Sequence, residues 1–250
     1  MSGICPIRTK IAAAGFLLFL GSAGFSAPPP GAPGYTAPPG PQGFSNGLSI
    51  GGAAYTPSLN MLNRELEIAG MKPMDTGSSY SIGWAMRDRE MRLRMDITGS
   101  YLRGESTAIT PTPDGENFRL HIITFSTPFL YEHPVISEQL FIGGGLSINT
   151  NMVLLRYEPN SDTYYTASSA SFNWGPVLSL EYYPFPGVPN FSLNLFAEKV
   201  MKLFVFSKPS IDFSKIPGYS PGDRLVTSDG DDLDFEINGT RIGFSANLYF

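Results

Sequence analysis

The chain has 250 residues, a formal charge of −5, 13% aromatic residues and 16% charged residues, against the roughly one quarter of charged residues in an ordinary soluble domain. An acidic chain with no block of Lys and Arg is a poor partner for nucleic acid. Its single cysteine, Cys5, lies ahead of an amino-terminal apolar run, so a chain processed after that run has no thiol for a disulfide, a cysteine-bound metal or a cysteine nucleophile.

Residues 1–27 read as a secretory signal. Arg8 and Lys10 give a positive start, Ile11 to Leu20 a short apolar run, and Gly21, Ser22 and Ala23 the small residues near a cleavage point between 23 and 27. The run is shorter than the roughly 20 residues that a membrane helix needs. No later segment is long and apolar enough either, so a membrane crossing has to be made by a closed barrel. Residues 28–43 are rich in Pro and Gly and form an extended periplasmic spacer in this reading.

Eight strands are predicted, over 44–56, 79–87, 91–102, 118–130, 138–150, 170–183, 191–206 and 236–250. The alternation is clear in several. Tyr80, Ile82, Trp84 and Met86 share one face of the second. Met91, Leu93, Met95, Ile97 and Tyr101 oppose Arg92, Arg94, Asp96 and Thr98 in the third. Short connections (Asp88–Glu90, Tyr131–Ser137, Pro184–Asn190) alternate with long ones, as expected of an up-and-down barrel with tight turns at one end. Some features resist. Pro128 and Pro176 fall inside strands and predict bulges or shifted boundaries. Ile122 and Ile123 break the alternation, and Lys199 falls on the apolar face of Leu193, Leu195 and Ala197. In the first long loop Leu59, Leu62, Leu66 and Ala69 have helical spacing.

The last stretch places Ile242, Phe244, Ala246, Leu248 and Phe250 on one face, against Arg241, Gly243, Ser245, Asn247 and Tyr249 on the other. This pattern resembles the final strand of bacterial outer-membrane β-barrel proteins, in which the barrel-assembly machinery reads apolar alternate residues ending in Phe. Over residues 44–250 the architecture resembles the small OmpA/OmpX type. The resemblance implies an all-β protein, an eight-stranded antiparallel up-and-down transmembrane barrel of the cell outer membrane, a monomer in contact with outer-membrane lipid and lipopolysaccharide. No peptidoglycan-binding domain follows the barrel, so the anchoring role of larger relatives is not implied.

Eight strands leave an interior that side chains can fill. The inward charges Arg92, Arg94, Asp96, Glu181, Glu198 and Arg241 are therefore expected to neutralise one another, since a lone buried charge costs several kcal/mol. The expected pairs are Glu198 with Arg241, and Asp96 or Glu181 with Arg92 or Arg94. Lys199 is expected to snorkel to the outer interface, within reach of lipopolysaccharide phosphate. Asp229, Asp231, Asp232 and Asp234 crowd one loop, but without the ordered ligand spacing of a calcium loop they read as a solvated acidic segment. Gly143-Gly-Gly145 precedes no helix and does not read as a phosphate loop.

Lipid A-modifying barrels use a His with a Ser on the outer wall. Here only His121 and His133 exist, with Ser126 and Thr124 near the first and no evident acid. His133 is expected in a turn. The sequence thus implies no enzyme, cofactor or metal, and a structural, adhesive or surface-interaction role through the external loops. The alternatives are a narrow pore, a lipid-modifying enzyme, and a soluble calyx with the apolar residues inside.

Overall fold

Side chains switch face at every residue along most of the chain, and each stretch that does so pairs with the next. The computed structural model describes residues 44–109, 116–136, 139–160, 162–185, 190–235 and 237–250. The signal expected at 1–27 and the spacer expected at 28–43 lie outside the described residues. The elements are β1 (Phe44–Ser58), α1 (Asn60–Ile68), β2 (Asp75–Thr76), β3 (Ser78–Asp88), β4 (Leu93–Thr107), β5 (Asn117–Ile136), β6 (Leu140–Glu158), β7 (Tyr165–Tyr182), β8 (Phe191–Ser214) and β9 (Asn238–Tyr249).

From β3 onward each strand lies antiparallel to its predecessor, β1 pairs with β3, and β9 pairs back onto β1 from Gly47↔Tyr249 to Ser58↔Asn238. The result is a closed ring of eight strands, with the two-residue β2 appended to β4. The ladder from Phe44 runs through Asp88, Leu93, Tyr131, Gly144, Leu178, Ala197 and Ile242, and returns to β1 at Ala54, ten residues further on. Such a stagger tilts the strands by about 35–45° to the barrel axis.

Most strands outrun their predicted limits. β5 continues to Ile136, so His133 is an exposed residue of the wall, paired with Ile142, and not part of a turn. β6 and β7 extend to Glu158 and from Tyr165, so the third long connection is no longer than the one joining Tyr182 to Phe191. The two prolines are accommodated without bulges. The β4–β5 ladder skips from Met95↔Phe129 to Thr98↔Ser126, and the β7–β8 ladder from Trp174↔Met201 to Val177↔Glu198. In both the register is kept across a gap of two residue pairs, where the proline donates no bond.

The wall has two zones. Nearer the turns between β3 and β4, β5 and β6, and β7 and β8 (the turn end), the outward side chains are apolar and exposed: Ile82 is 68% exposed, Leu178 64% and Phe244 66%. Leu248 and Phe250 are exposed on the same face, with Ala246 half-buried. The inward ones there are mostly Ser, Asn and charged residues, with Ala85, Leu130, Val177 and Tyr249 among them. Toward the opposite, cap end the polarity inverts. On β4, β5 and β6 the outward residues become Arg103, Glu105, Arg119, Arg156 and Glu158, while Leu102, Leu120, Ile122, Val153 and Leu155 are buried inside. Ile122 and Ile123 therefore alternate normally: Ile122 points in, at 1% exposure, and Ile123 lies on the outward face. At that level both faces are apolar.

The apolar filling continues into a cap. Leu62 and Leu66 of α1 pack with Leu59, Leu225, Leu233, Phe235 and Ile237 over the barrel mouth. Ala69, expected on the same helical face, is exposed at the end of α1. The cap is tied by Arg64 Nη2 to Asp229 (2.6 Å), by the Ser228 amide to Glu65 (2.7 Å), and by the Tyr55 hydroxyl to the Ile237 carbonyl (2.9 Å).

Two glycines mark the closest strand approaches. A Cβ at Gly145 would stand 1.8 Å from the Phe129 carbonyl oxygen, and one at Gly175 would stand 1.6 Å from that of Lys199. At Gly144 the nearest atom is Leu178 Cδ2, at 3.6 Å. Gly175→Ala and Gly145→Ala should each cost more than the ~1–3 kcal/mol of ordinary overpacking and yield little heat-modifiable, folded protein. Gly144→Ala should fold like the parent, all read by gel mobility with and without boiling.

Candidate functional site

The distinctive chemistry of this barrel is in its lumen. At the turn end, Arg87 from β3, Arg94 and Asp96 from β4, Glu132 from β5 and Glu181 from β7 form one buried network. Arg87 Nε lies 2.7 Å from Glu132 Oε2, and its Nη1 lies 3.2 Å from Glu181 Oε2. Arg94 grips Asp96 with two bonds, of 2.9 and 2.6 Å, and its Nη1 lies 3.4 Å from Glu181. Glu181 also accepts from the Tyr249 hydroxyl (2.8 Å) and from Ser192. The Arg87 guanidinium lies 4.2 Å from the centre of the Phe141 ring and donates to the Tyr183 hydroxyl. Two guanidiniums thus face three carboxylates. Such a group survives burial because each charge has an opposite partner, and Arg87, Arg94, Asp96 and Glu181 make hydrogen bonds as well.

A second knot lies nearer the middle. Arg241 on β9 is paired with Glu198 on β8, the two residues being direct ladder partners. Glu198 accepts from Asn149 Nδ2 (2.7 Å) and Ser147, and Arg241 Nη2 reaches Ser126 Oγ at 3.0 Å. A small polar cavity of about 50 Å³ touches Asp96, Ser126, Glu198 and Arg241. Toward the cap end the apolar core fills the lumen.

Five of the six charges expected in the lumen are there: Arg94, Asp96, Glu181, Glu198 and Arg241. Arg92 is not. It lies in the β3–β4 turn, exposed, with φ at +57°, because β4 begins only at Leu93 and the turn takes up the residue before it. Its carbonyl accepts the Glu132 amide at 2.8 Å, so it supports the network through its backbone alone. Two members had escaped sequence reasoning, Arg87 and Glu132. Parity was the available signal: Arg87 continues the inward series Ser79, Ser81, Gly83, Ala85, and Glu132 the series Ser126, Pro128, Leu130. Placing a turn at Tyr131–Ser137 hid the second.

The histidine reading resolves by face. His121 is on the outward side, with its Nδ1 2.5 Å from the Tyr101 hydroxyl, whereas Thr124 and Ser126 are buried in the lumen. No nucleophile–base pair forms from these residues. Lys199 keeps the outward parity of Leu195 and Ala197, with an exposed side chain. The acidic loop is dispersed among separate cations: Asp229 to Arg64, Asp232 to Lys208 and Arg224, and Asp234 to Lys202. Among the described residues no group of three or more His, Cys, Asp or Glu is placed to hold a metal.

A closed eight-stranded antiparallel barrel with an apolar outer belt around a charged interior is a transmembrane β-barrel. Among solved structures it is similar to the crystal structure of Neisserial surface protein A (NspA), with 14% identity over 84% of this chain and 98% of that one, at a TM-score of 0.41. It is also similar to Acinetobacter baumannii CarO2, with 11% identity over 82% and 99% of the two chains, at a TM-score of 0.32. No family model matches the sequence, and no curated protein matches it. Neither likeness transfers a role to this chain.

Truncating one partner of the central knot strands the other. Glu198→Ala or Arg241→Ala should lower the unfolding free energy in detergent by about 3–5 kcal/mol, while Arg92→Ala, on the exposed turn, should stay within about 0.5 kcal/mol of the parent. Urea titration followed by tryptophan fluorescence measures both.

The hydrogen bond from Lys208, with Arg224 beside it, holds the Asp232 carboxyl below the ordinary aspartate value of 3.8. A depressed folded-state value means that the clamp is intact above about pH 4 and is lost as pH falls through that lower value. Amide protection over 225–233, taken relative to the intrinsic exchange rate at each pH, should therefore be constant from neutral pH to about pH 4 and fall below it, and Asp232→Asn should show the lowered protection at neutral pH.

Proposed function

We propose that this chain is a non-enzymatic integral protein of the bacterial outer membrane that acts as a sealed scaffold, presenting its cap end to the outside. The observation that carries this reading is the filled lumen. Two buried charge knots and an apolar core occupy the barrel interior between the turn end and the cap. A barrel filled in this way offers its surface, not a channel, as the working part. The turn end then faces the periplasm, and α1 and the segment 225–235 form the external face, where a structural, adhesive or recognition role resides.

The outward strip Ile242, Phe244, Ala246, Leu248 and Phe250 is the segment that the barrel-assembly machinery would read, and outer-membrane lipid with its lipopolysaccharide is the direct partner of the belt. The chain works as a monomer, because ring closure already pairs both of its outer strands, β1 and β9. The narrow-pore reading has the 50 Å³ polar cavity in its favour, and conductance decides between them.

Purified chain should remain in the membrane fraction without detergent, migrate differently before and after boiling, and give no discrete current steps in planar bilayers. Regular steps that shift with Glu198→Gln would replace the scaffold with a pore. Release into buffer without detergent would remove the membrane reading altogether.

A further inference from the structure

The outward wall has a large depression, about 890 Å³, spanning β9, β1, β3, β4 and β5. Its relief follows from the register. Tyr80 and Ile82 form a ridge on β3. Directly opposite Tyr80 on one side is Gly52, and directly opposite Ile82 on the other is Gly99. The ridge therefore has a short furrow on each flank, one ending at Ile50 (opposite Ile82) and bounded by Ile242 and Phe244, the other ending at Tyr101 (opposite Tyr80) and reaching Ile123.

Above the second furrow the wall turns cationic. The next outward residue on β4 after Tyr101 is Arg103, and on β5 after Ile123 it is His121, with Arg119 and Arg156 beyond. Three guanidiniums pair with two carboxylates here, and His121 bonds the Tyr101 hydroxyl. Glu105 serves both Arg103 and Arg119, and Glu158 both Arg119 and Arg156. Arg119 is the least satisfied. Its ion-pair contacts are 3.6 and 3.7 Å long, and its Nε has no hydrogen-bond acceptor.

We infer that this face is a seat for one phosphorylated, multiply acylated glycolipid of the outer leaflet, with acyl chains astride the Tyr80–Ile82 ridge and a phosphate on Arg119 and Arg103. The inference rests on the outer-membrane reading. Inside hydrocarbon, a tail gains no hydrophobic energy by entering a furrow, because its alternative surroundings are equally apolar. It gains only the close contacts that a void would forfeit. Selectivity therefore has to come from the rim, where an anionic head meets three guanidiniums, among them Arg119 with a partly exposed side chain and two long ion pairs. Two furrows on either side of one ridge suit a lipid with several tails.

The test is native mass spectrometry of the full chain in detergent, with bis-phosphorylated lipid A as the probe, compared with dephosphorylated lipid A and with phosphatidylglycerol. The parent should retain bis-phosphorylated lipid A preferentially. Arg119→Ala should weaken retention about tenfold, the effect of one lost charge-assisted bond. Gly99→Leu, whose Cβ would meet only Phe125 ring atoms at 3.8 Å or more and the Ile82 carbonyl at 4.0 Å, should fold normally and weaken retention by filling a furrow. Lys208→Ala, in the cap, should change nothing.

Equal retention of dephosphorylated lipid A or of phosphatidylglycerol would overturn the inference, as would parental retention by Gly99→Leu. Cross-linking of two copies through Tyr80 would also overturn it, by assigning the face to a second chain. Loss of heat-modifiable migration in the parent would instead refute the outer-membrane reading itself.

Discussion

Backbone hydrogen bonding in hydrocarbon is the constraint on which the rest of this structure depends. No water is available there for an unpaired N–H or C=O, so a sheet must close on itself. The pairing of β9 with β1 meets that requirement, and everything inside the ring is a consequence. Eight strands enclose too little space for a stable open passage, so the enclosed side chains have to pack like a protein core. At the turn end they pack as a charge network, in which Arg87, Arg94, Asp96, Glu132 and Glu181 each find an opposite charge.

The two-zone wall follows from what lies outside it. Where the exterior faces hydrocarbon, the interior is polar, and the contrast fixes which face points in. A slip of one residue would send Arg94 and Asp96 to the lipid side, so the register is strongly specified. Past Tyr101 on β4 and Ile123 on β5, the exterior carries Arg103, Arg119 and Arg156, and the interior becomes Leu, Ile and Val. That part is built like a water-soluble barrel with a hydrophobic core, and α1 closes its mouth. The apolar stretches Leu93–Tyr101 on β4 and Ile123–Tyr131 on β5 match the ~9–11 tilted residues needed to cross the bilayer.

This inversion also explains what could be read in the sequence. Strand number, closure, the outward strip from Ile242 to Phe250 and the Glu198–Arg241 pairing were all legible, because within the belt the period of two is unbroken. The boundaries were not. Above the belt both the wall and its filling change character, so β6, β7 and β8 fade into sequence that resembles loop. Ile122 next to Ile123 looked like a broken strand, although it marks the level at which the interior has turned apolar before the exterior has turned polar. Glu132 was hidden for a different reason. His133 and Pro134 suggest a turn, and only continuing the parity of Ser126 and Leu130 through them finds the residue that Arg87 grips.

Charged residues in the two zones do different work. Inside, Glu198 and Arg241 are held by Asn149, Ser147 and Ser126 in a low-dielectric setting, where loss of either partner is expensive and salt has little access. Outside, the Arg103–Glu105–Arg119–Glu158–Arg156 row is partly solvated, and its pairs contribute little to stability. A row of weak, exchangeable pairs with one excess cation suits an interface with anionic head groups, because forming a contact with phosphate costs only the modest bonds already present. The same residues buried in the lumen would be locked, and the lumen pairs placed on the rim would hold too weakly to seal a barrel.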